Sequence, residues 1–217
     1  KTFCRGNLKI SNARTAEMVK LSENAFRDVN LAFANEISMI CDKNKIDPFE
    51  LINLANGHPR VNILKPGCGV GGHCIAVDPW FIVSENKEES RLIHASREVN
   101  DKKTEWVIEK IINEVNNIKF EFNNKPKLCC LGLTFKANVD DCRHSPALKI
   151  AKGLISKNLD VVCCDPNVKE IKSLIISSLE NCLEKCDLFI GLVAHNEFKE
   201  INFENKKVID FCGLLLN

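Results

Sequence analysis

From Thr15 to about Asp42 the chain runs without a proline or a glycine, and this run constrains the fold more than any other feature. Met18, Leu21, Ala25, Val29, Ala32, Ile37 and Ile40 recur in it near helical spacing, which predicts one long helix with an apolar side. A helix of that length is well above the globular average. In a chain of 217 residues it outruns its own domain, so it is expected to pack against a twin in a homodimer. Lys20 and Asn24 lie four apart and share a face, with Arg27 one turn further on. Spacing alone leaves these three as either a set converging on one ligand or a solvated stripe. Asp47 and Pro48 then read as the cap and first turn of a second helix to about Asn56. Gly57-His58-Pro59-Arg60 ends it.

The stretch Gly67-Cys68-Gly69-Val70-Gly71-Gly72-His73-Cys74 follows, with Asp78-Pro79 four residues later. Glycines at this density let the backbone adopt positive φ and bring its amides against a ligand. A helix starting near His73 would aim its positive end at the Cys74 thiol and favour the thiolate. The chemistry that needs such a group is covalent catalysis on a carbonyl. Gly67, Gly69 and Gly72 also satisfy Gly-x-Gly-x-x-Gly, but a dinucleotide fingerprint follows a strand and has an acid ending the next strand about 20 residues on. Here Pro66 precedes the loop, and Glu88 and Glu89 sit in what reads as a solvated helix start. A glycine-rich turn beside a buried structural cysteine remains the alternative.

Pro79 to Val83, Arg91 to Asn100 and Lys103 to Asn116 read as separate helices, so the first half is mostly α. Asn123-Asn124-Lys125-Pro126 marks a boundary by composition. Lys127 to Leu133 then reads as a strand, Ala147 to Ser156 as a helix, and Asp160 to Asp165 as a second strand, a βαβ unit. Leu188 to Val193 and Lys207 to Asp210 add strands. The fold class is therefore α/β: a mostly helical domain followed by a Rossmann-like parallel sheet with helices on both faces. The loop from Thr134 to Pro146 lies beyond the carboxyl end of a strand, where such sheets bind ligands. In it Lys136 and Arg143 are the anion contacts, and Ser145 or Pro146 starts the next helix.

Lysine plus arginine at 30 against aspartate plus glutamate at 29 gives a net charge of +1, which argues against a general nucleic-acid or membrane-surface binder. No apolar run reaches the length of a membrane span and the N-terminus lacks a signal peptide's apolar segment, so the chain reads as cytoplasmic. Of the twelve cysteines, Cys129-Cys130 and Cys163-Cys164 lie in apolar strands and read as reduced, buried thiols. Cys182 and Cys186 are four apart on a helix without a second ligand pair at zinc spacing, so no metal is expected. Cys68 stays open because it lies inside the glycine loop.

Two motifs carry a specific resemblance: Ala16-Glu17-Met18-Val19-Lys20-Leu21-Ser22-Glu23-Asn24 and Gly69-Val70-Gly71-Gly72-His73-Cys74-Ile75-Ala76-Val77-Asp78-Pro79. With Phe135-Lys136 and Asp141-Cys142-Arg143 they resemble the UDP-glucose/GDP-mannose dehydrogenase family over almost the whole chain. Arg27-Asp28-Val29-Asn30 and His58-Pro59-Arg60-Val61-Asn62 narrow this to members that oxidise an N-acetylated sugar. The resemblance implies oxidation of the C6 alcohol of a UDP-sugar to a carboxylate with two NAD+ and no metal. It divides the chain into a remnant of an N-terminal NAD-binding domain at 1–13, a central helical dimerisation and catalytic domain at 14–122, and a C-terminal UDP-sugar-binding domain at 123–217.

The same resemblance makes Cys74 the nucleophile, Lys20 the acid, base and oxyanion holder aided by Asn24, and Asp78 the residue that activates water. Lys20, Asn24, Arg27, His58, Arg60, Gly71, Phe135 and Lys136 match substrate contacts, some from a partner subunit, and Arg143 matches a residue that reaches NAD. Cys68 stands where relatives often carry proline, His144 where a glutamate is common, and Cys212 where many carry a lysine or arginine. Without the main cofactor domain the chain is expected to bind a UDP-sugar but not to turn over. The alternatives are a non-catalytic UDP-sugar-binding or dimerisation module, and a dehydrogenase for another nucleotide sugar such as UDP-N-acetylglucosamine or UDP-glucose.

Overall fold

Asn12 opens the first helix by accepting a hydrogen bond from the Thr15 amide, and α1 runs Ala13–Asn44 until Lys45 turns left-handed at φ 58°. This is a computed structural model, and it describes residues 6–7, 9–122, 125–203 and 206–215. Part of the expected 1–13 remnant and the Asn123-Asn124 boundary pair lie outside them. The second helix, α2, spans Pro48–Ala55, with the Asp47 carboxylate accepting from the Phe49 and Glu50 amides, as its sequence foretells. Two more helices complete this half, α3 (Asp78–Glu85) and α4 (Arg91–Phe122).

Three expectations change here. The helix expected to start near His73 begins at Asp78 instead; Pro79 in its first turn fixes the start, and residues 74–77 form a turn before it. Glu88 and Glu89 lie in the turn between α3 and α4 rather than in a helix start. The two helices expected at 91–100 and 103–116 are one, because Asp101 and Lys102 contain no breaker and the Arg97–Asp101 ion pair spans the junction at 2.8 Å.

α1 and α4 lie side by side and parallel, since their contacts climb both helices together: Asp28 with Arg97, Asn35 with Asn100, Ser38 with Lys103, Asp42 with Lys110. The buried positions of α1 are Asn24, Ala25, Asp28, Ala32, Ala34, Asn35, Ser38 and Cys41. Of the apolar set read from the sequence only Ala25 and Ala32 are among them, and Met18 and Ile40 are exposed. The physical reason is that α4 offers arginine, asparagine and lysine to this face, so α1 answers with polar side chains and turns its larger apolar ones outward.

The second half is a four-stranded parallel sheet in the order β2-β1-β3-β4, built from β1 (Leu128–Leu131), β2 (Val161–Cys164), β3 (Leu188–Gly191) and β4 (Lys207–Asp210). Leu128 pairs with Val161 on one side and Leu188 on the other. The connecting helices are α5 (Pro146–Ser156), α6 (Leu179–Lys185) and α7 (Asn196–Lys199). Successive strand residues point to opposite faces. Leu128, Cys130, Val161, Cys163, Leu188 and Ile190 pack on Ile150 and Leu154 of α5 and on Val107, Ile111 and Val115 of α4. Cys129, Leu131, Val162, Cys164 and Phe189 pack on Cys182 and Phe198 of α6 and α7. The α/β class with helices on both faces is thus observed, and α4 belongs to both cores: its first half meets α1 and its second half meets the sheet. Among the described residues no helix is long and apolar enough to cross a membrane.

Candidate functional site

Parallel strand order reverses between β1 and β3, and ligands bind where the loops diverge at such a point. The loop after β1 is held there by a buried group of polar side chains. Asp165, just past β2, accepts from the Leu133 amide at 2.6 Å and from the Asn167 and Val168 amides. The fully buried His195 lies 3.3 Å from the same carboxylate. Because the Asn138 amide donates to its Nδ1 at 3.1 Å, neutral His195 carries its proton on Nε2, facing Asp165 and the Thr134 hydroxyl. Burial alone would raise the Asp165 pKa, but hydrogen bonds from His195 and from the Leu133 and Asn167 amides leave it below the ordinary value. Thr134 in turn donates to the Lys136 carbonyl at 2.8 Å. The pair therefore fixes the backbone that carries Phe135 and Lys136.

Against this loop lies the glycine stretch. Gly72 sits at φ +87° and its amide donates to the Arg143 carbonyl at 3.1 Å. A Cβ at Gly72 would meet the Phe135 ring at 3.0 Å, and one at Gly71 would run into the His144 carbonyl and the Pro146 ring. The glycines are needed for close approach between the two halves of the molecule. No strand leads into the loop and α3 starts only at Asp78, so the dinucleotide fingerprint fails in structure as it does in sequence. Cys68 is buried with its thiol towards the Leu192 carbonyl, and burial pushes its pKa up to about 12. It is a packing residue.

Cys74 is half-buried in the turn after these glycines, and its carbonyl accepts from the Val77 and Asp78 amides at 3.0 and 2.8 Å. Asp78 accepts a 2.5 Å hydrogen bond from the buried Asn24 side chain. That contact ties the cysteine turn to α1. Arg143 lies within electrostatic range of the Cys74 thiol. Its guanidinium is engaged by Asp141 through two nitrogens, at 3.0 and 2.6 Å, and this holds the Asp141 carboxyl down to about 2. The orientation of Arg143 is thus set by Asp141, two residues away, whereas His144 is exposed in a left-handed conformation at φ 50°. His73 completes the rim, 4.0 Å from Asp141 and edge-on to Phe135.

The structure therefore gathers Asn24, Gly71, Cys74, Asp78, Phe135 and Arg143. Lys136 adjoins them, its ammonium 5.6 Å from the Phe135 ring. Lys20 shares the Asn24 face of α1 but its ion pair is with Glu23, at 3.3 Å. Arg27, His58 and Arg60 are exposed; the His58 ring accepts from the Arg60 amide, and no hydrogen bond or ion pair joins these three to the Cys74 turn. Sequence reading missed the Asp165–His195 pair, for which Asp165-Pro166-Asn167 at a strand end was the available signal. It also missed that Asp141 holds the Arg143 guanidinium.

Two family models match the chain: the UDP-glucose/GDP-mannose dehydrogenase family central domain over residues 14–102, and the UDP binding domain of that family over residues 129–215. The chain is 49% identical to the UDP-N-acetyl-D-mannosamine dehydrogenase of Campylobacter jejuni, over 98% of its own length and 52% of the relative's. It is 46% identical to the NDP-N-acetyl-D-galactosaminuronic acid dehydrogenase of Ralstonia nicotianae, over 98% of its length and 51% of the relative's. The chain spans about half the length of these relatives. The solved structure of UDP-D-ManNAc dehydrogenase from Pyrococcus horikoshii superposes with a TM-score of 0.85 at 37% identity, covering 99% of this chain and 52% of that one.

Proposed function

We propose that this chain, which belongs to the UDP-glucose/GDP-mannose dehydrogenase family, carries the sugar-oxidising portion of an NAD-dependent UDP-N-acetyl-D-mannosamine 6-dehydrogenase of the cytoplasm. The observation that carries the reading is the Asn24–Asp78 contact at the Cys74 turn, wedged through Gly71 and Gly72 against Phe135 and Arg143. It puts the half-buried Cys74 thiol where the helical and sheet halves meet. In this reading the sugar C6 alcohol is oxidised to an aldehyde, the Cys74 thiolate adds to it, and the thiohemiacetal is oxidised to a thioester. Two NAD+ molecules, bound in turn, would each take up one of the two hydrides. Asp78, positioned by Asn24, takes a proton from the water that hydrolyses the thioester to the acid.

Lys20 serves as acid, base and oxyanion donor. Its present partner Glu23 is exposed, and an exposed pair of this kind is worth at most about 1 kcal/mol, so exchanging it for substrate is easy. Phe135 and Lys136 hold the nucleotide end, and Arg143, the residue of this chain assigned to NAD, stands beside Cys74. Most NAD contacts are assigned to parts of the enzyme outside these 217 residues. Arg27, His58 and Arg60 are assigned to the pocket of a second copy. Val19, Phe26, Phe33 and Ile40 recur every seven residues along α1 and all are exposed, which supports a homodimer through that helix.

A second reading, oxidation of another acetamido sugar nucleotide, draws on the nearly equal similarity to the galactosaminuronic acid enzyme. Titration calorimetry of the chain with both UDP-sugars, alongside an NAD reduction assay, tests the proposal. UDP-N-acetylmannosamine should bind more tightly, Lys136→Ala should weaken it about tenfold, and NAD should not be reduced. Failure to bind either sugar, or binding indifferent to Lys136, contradicts the reading; NAD reduction by the chain alone contradicts the division of the cofactor site.

A further inference from the structure

The face of the sheet covered by α6 and α7 holds a second gathering of nucleophilic side chains that the proposed chemistry does not use. Cys129 on β1, Cys182 on α6 and Cys186 just after it have Sγ atoms within 4.8 Å of one another, and all three are buried. Cys182 and Cys186 are brought together by helical spacing. Cys129 arrives from a distant strand. Cys164, at the end of β2, is buried in the same cluster and lies within electrostatic range of Cys182. The sequence reading set zinc aside because only the Cys182 and Cys186 spacing was visible. The fold supplies the missing donors.

Packing alone does not account for this convergence. On the opposite face of the sheet Cys130 meets Cys163 as a simple pair among aliphatic side chains. The α6 helix is seven residues long, under two turns, and so short a helix has little stability of its own. It reaches the sheet through Leu179, Cys182 and Leu183 while Glu180, Glu184 and Lys185 stay outside the core. A cross-link at the two cysteines would fasten it at its middle and at its end.

We propose that Cys129, Cys182 and Cys186, completed by Cys164, hold one thiophilic metal ion of the zinc class as a structural site that fixes α6 to the sheet. Zinc–thiolate bonds of about 2.3 Å place tetrahedral sulfurs about 3.8 Å apart, so the three mutually close thiols need to draw in by at most about 1 Å. Each thiol releases its proton to solvent on coordination, and Lys127, which already acts electrostatically on Cys186, offsets part of the thiolate charge. Soft sulfur donors favour zinc over magnesium or calcium.

The test uses the 217-residue chain with Cys74→Ala, which removes one half-buried thiol outside the cluster, loaded separately with zinc and cobalt(II) after reduction and removal of excess metal. The expected result is one zinc per chain by elemental analysis. The cobalt form should show the thiolate-to-metal charge-transfer band and the intense visible bands of a tetrahedral sulfur site. Both should be lost in Cys182→Ser and in Cys186→Ser, and kept in Cys130→Ser on the other face. Absence of the cobalt–thiolate spectrum from the chain without these serine changes overturns the proposal whether or not the variants fold. So does its survival in folded Cys182→Ser, or recovery of Cys129 as a disulfide with Cys182 or Cys186 in the freshly reduced protein.

Discussion

The α1–α4 seam closes on charged and amide side chains, whereas the sheet closes on aliphatic side chains and cysteines. In the seam, Arg97 donates to the fully buried Asp28 at 2.7 Å, Asn100 donates to the same carboxylate at 2.8 Å, and Lys103 donates to Ser38 at 2.7 Å. Burial pushes the Asp28 pKa up, and Arg97 and Asn100 pull it back only in part. Asp28 Oδ2 and Arg97 Nε lack hydrogen-bond partners. In the core on the sheet, Leu128, Leu188 and Ile190 of the strands and Leu154 of α5 are fully buried among apolar neighbours. A buried ion pair adds little net stability, because desolvation offsets most of the attraction. The difference teaches that the seam fixes where α1 and α4 meet, and hence where Asn24 meets Asp78, while the sheet supplies the hydrophobic free energy.

Replacing Arg97 by methionine sharpens the comparison most, since it strands Asp28 in the seam. The expected loss is about 3–5 kcal/mol by urea unfolding; a loss under about 1 kcal/mol would show that water reaches Asp28 and that the seam is not closed. Leu154→Ala, in the sheet core, is expected to lose about 2–5 kcal/mol through lost burial and a residual cavity. A near-neutral result there would mean that the sheet is not the main store of apolar stabilisation.

Lys103 gives the smallest of these effects, and one that depends on pH. It is buried over the Trp106 ring at 4.0 Å, and burial lowers its pKa to about 8 from 10.5. Between those values the unfolded chain holds the proton that the folded chain has released, so the Lys103 contribution rises with pH. Comparing the native chain with Lys103→Met at pH 7.5 and pH 10 should show the native chain gaining up to about 3 kcal/mol relative to the variant. Parallel pH profiles would mean that the ammonium is solvated.

Local chemistry made much of this molecule legible. Asp47-Pro48 and Ser145-Pro146 carry their helix starts in the identity of two residues, with Ser145 accepting from the Leu148 amide as a cap should. Three of the four strands, β1, β2 and β3, were visible because each is an apolar run buried on both faces, whereas β4 is only partly buried. The buried face of α1 was not, because hydrophobic spacing cannot point to a seam made of Asn24, Asp28, Asn35 and Ser38. The motifs singled out Cys74, Asn24 and Asp78 but not what joins them. Asp165 with His195, and Cys129 with Cys182, meet only through the order of strands in the sheet.

The central claim is that, among the eleven cysteines of the described residues, Cys74 is set apart where the two halves meet. Cys41, Cys68, Cys129, Cys130, Cys163, Cys164, Cys182 and Cys186 are buried. Burial raises the pKa of Cys142 and Cys212, and Asp165 and Asp210 respectively add to the rise. Cys74 is half-buried, as Cys142 and Cys212 also are, and it has Arg143 within electrostatic range. Alkylation of the folded chain with limiting iodoacetamide, followed by peptide mapping, measures this directly. The account predicts that Cys74 is modified first and fastest; labelling of Cys4, Cys142 or Cys212 at an equal or greater rate would contradict it.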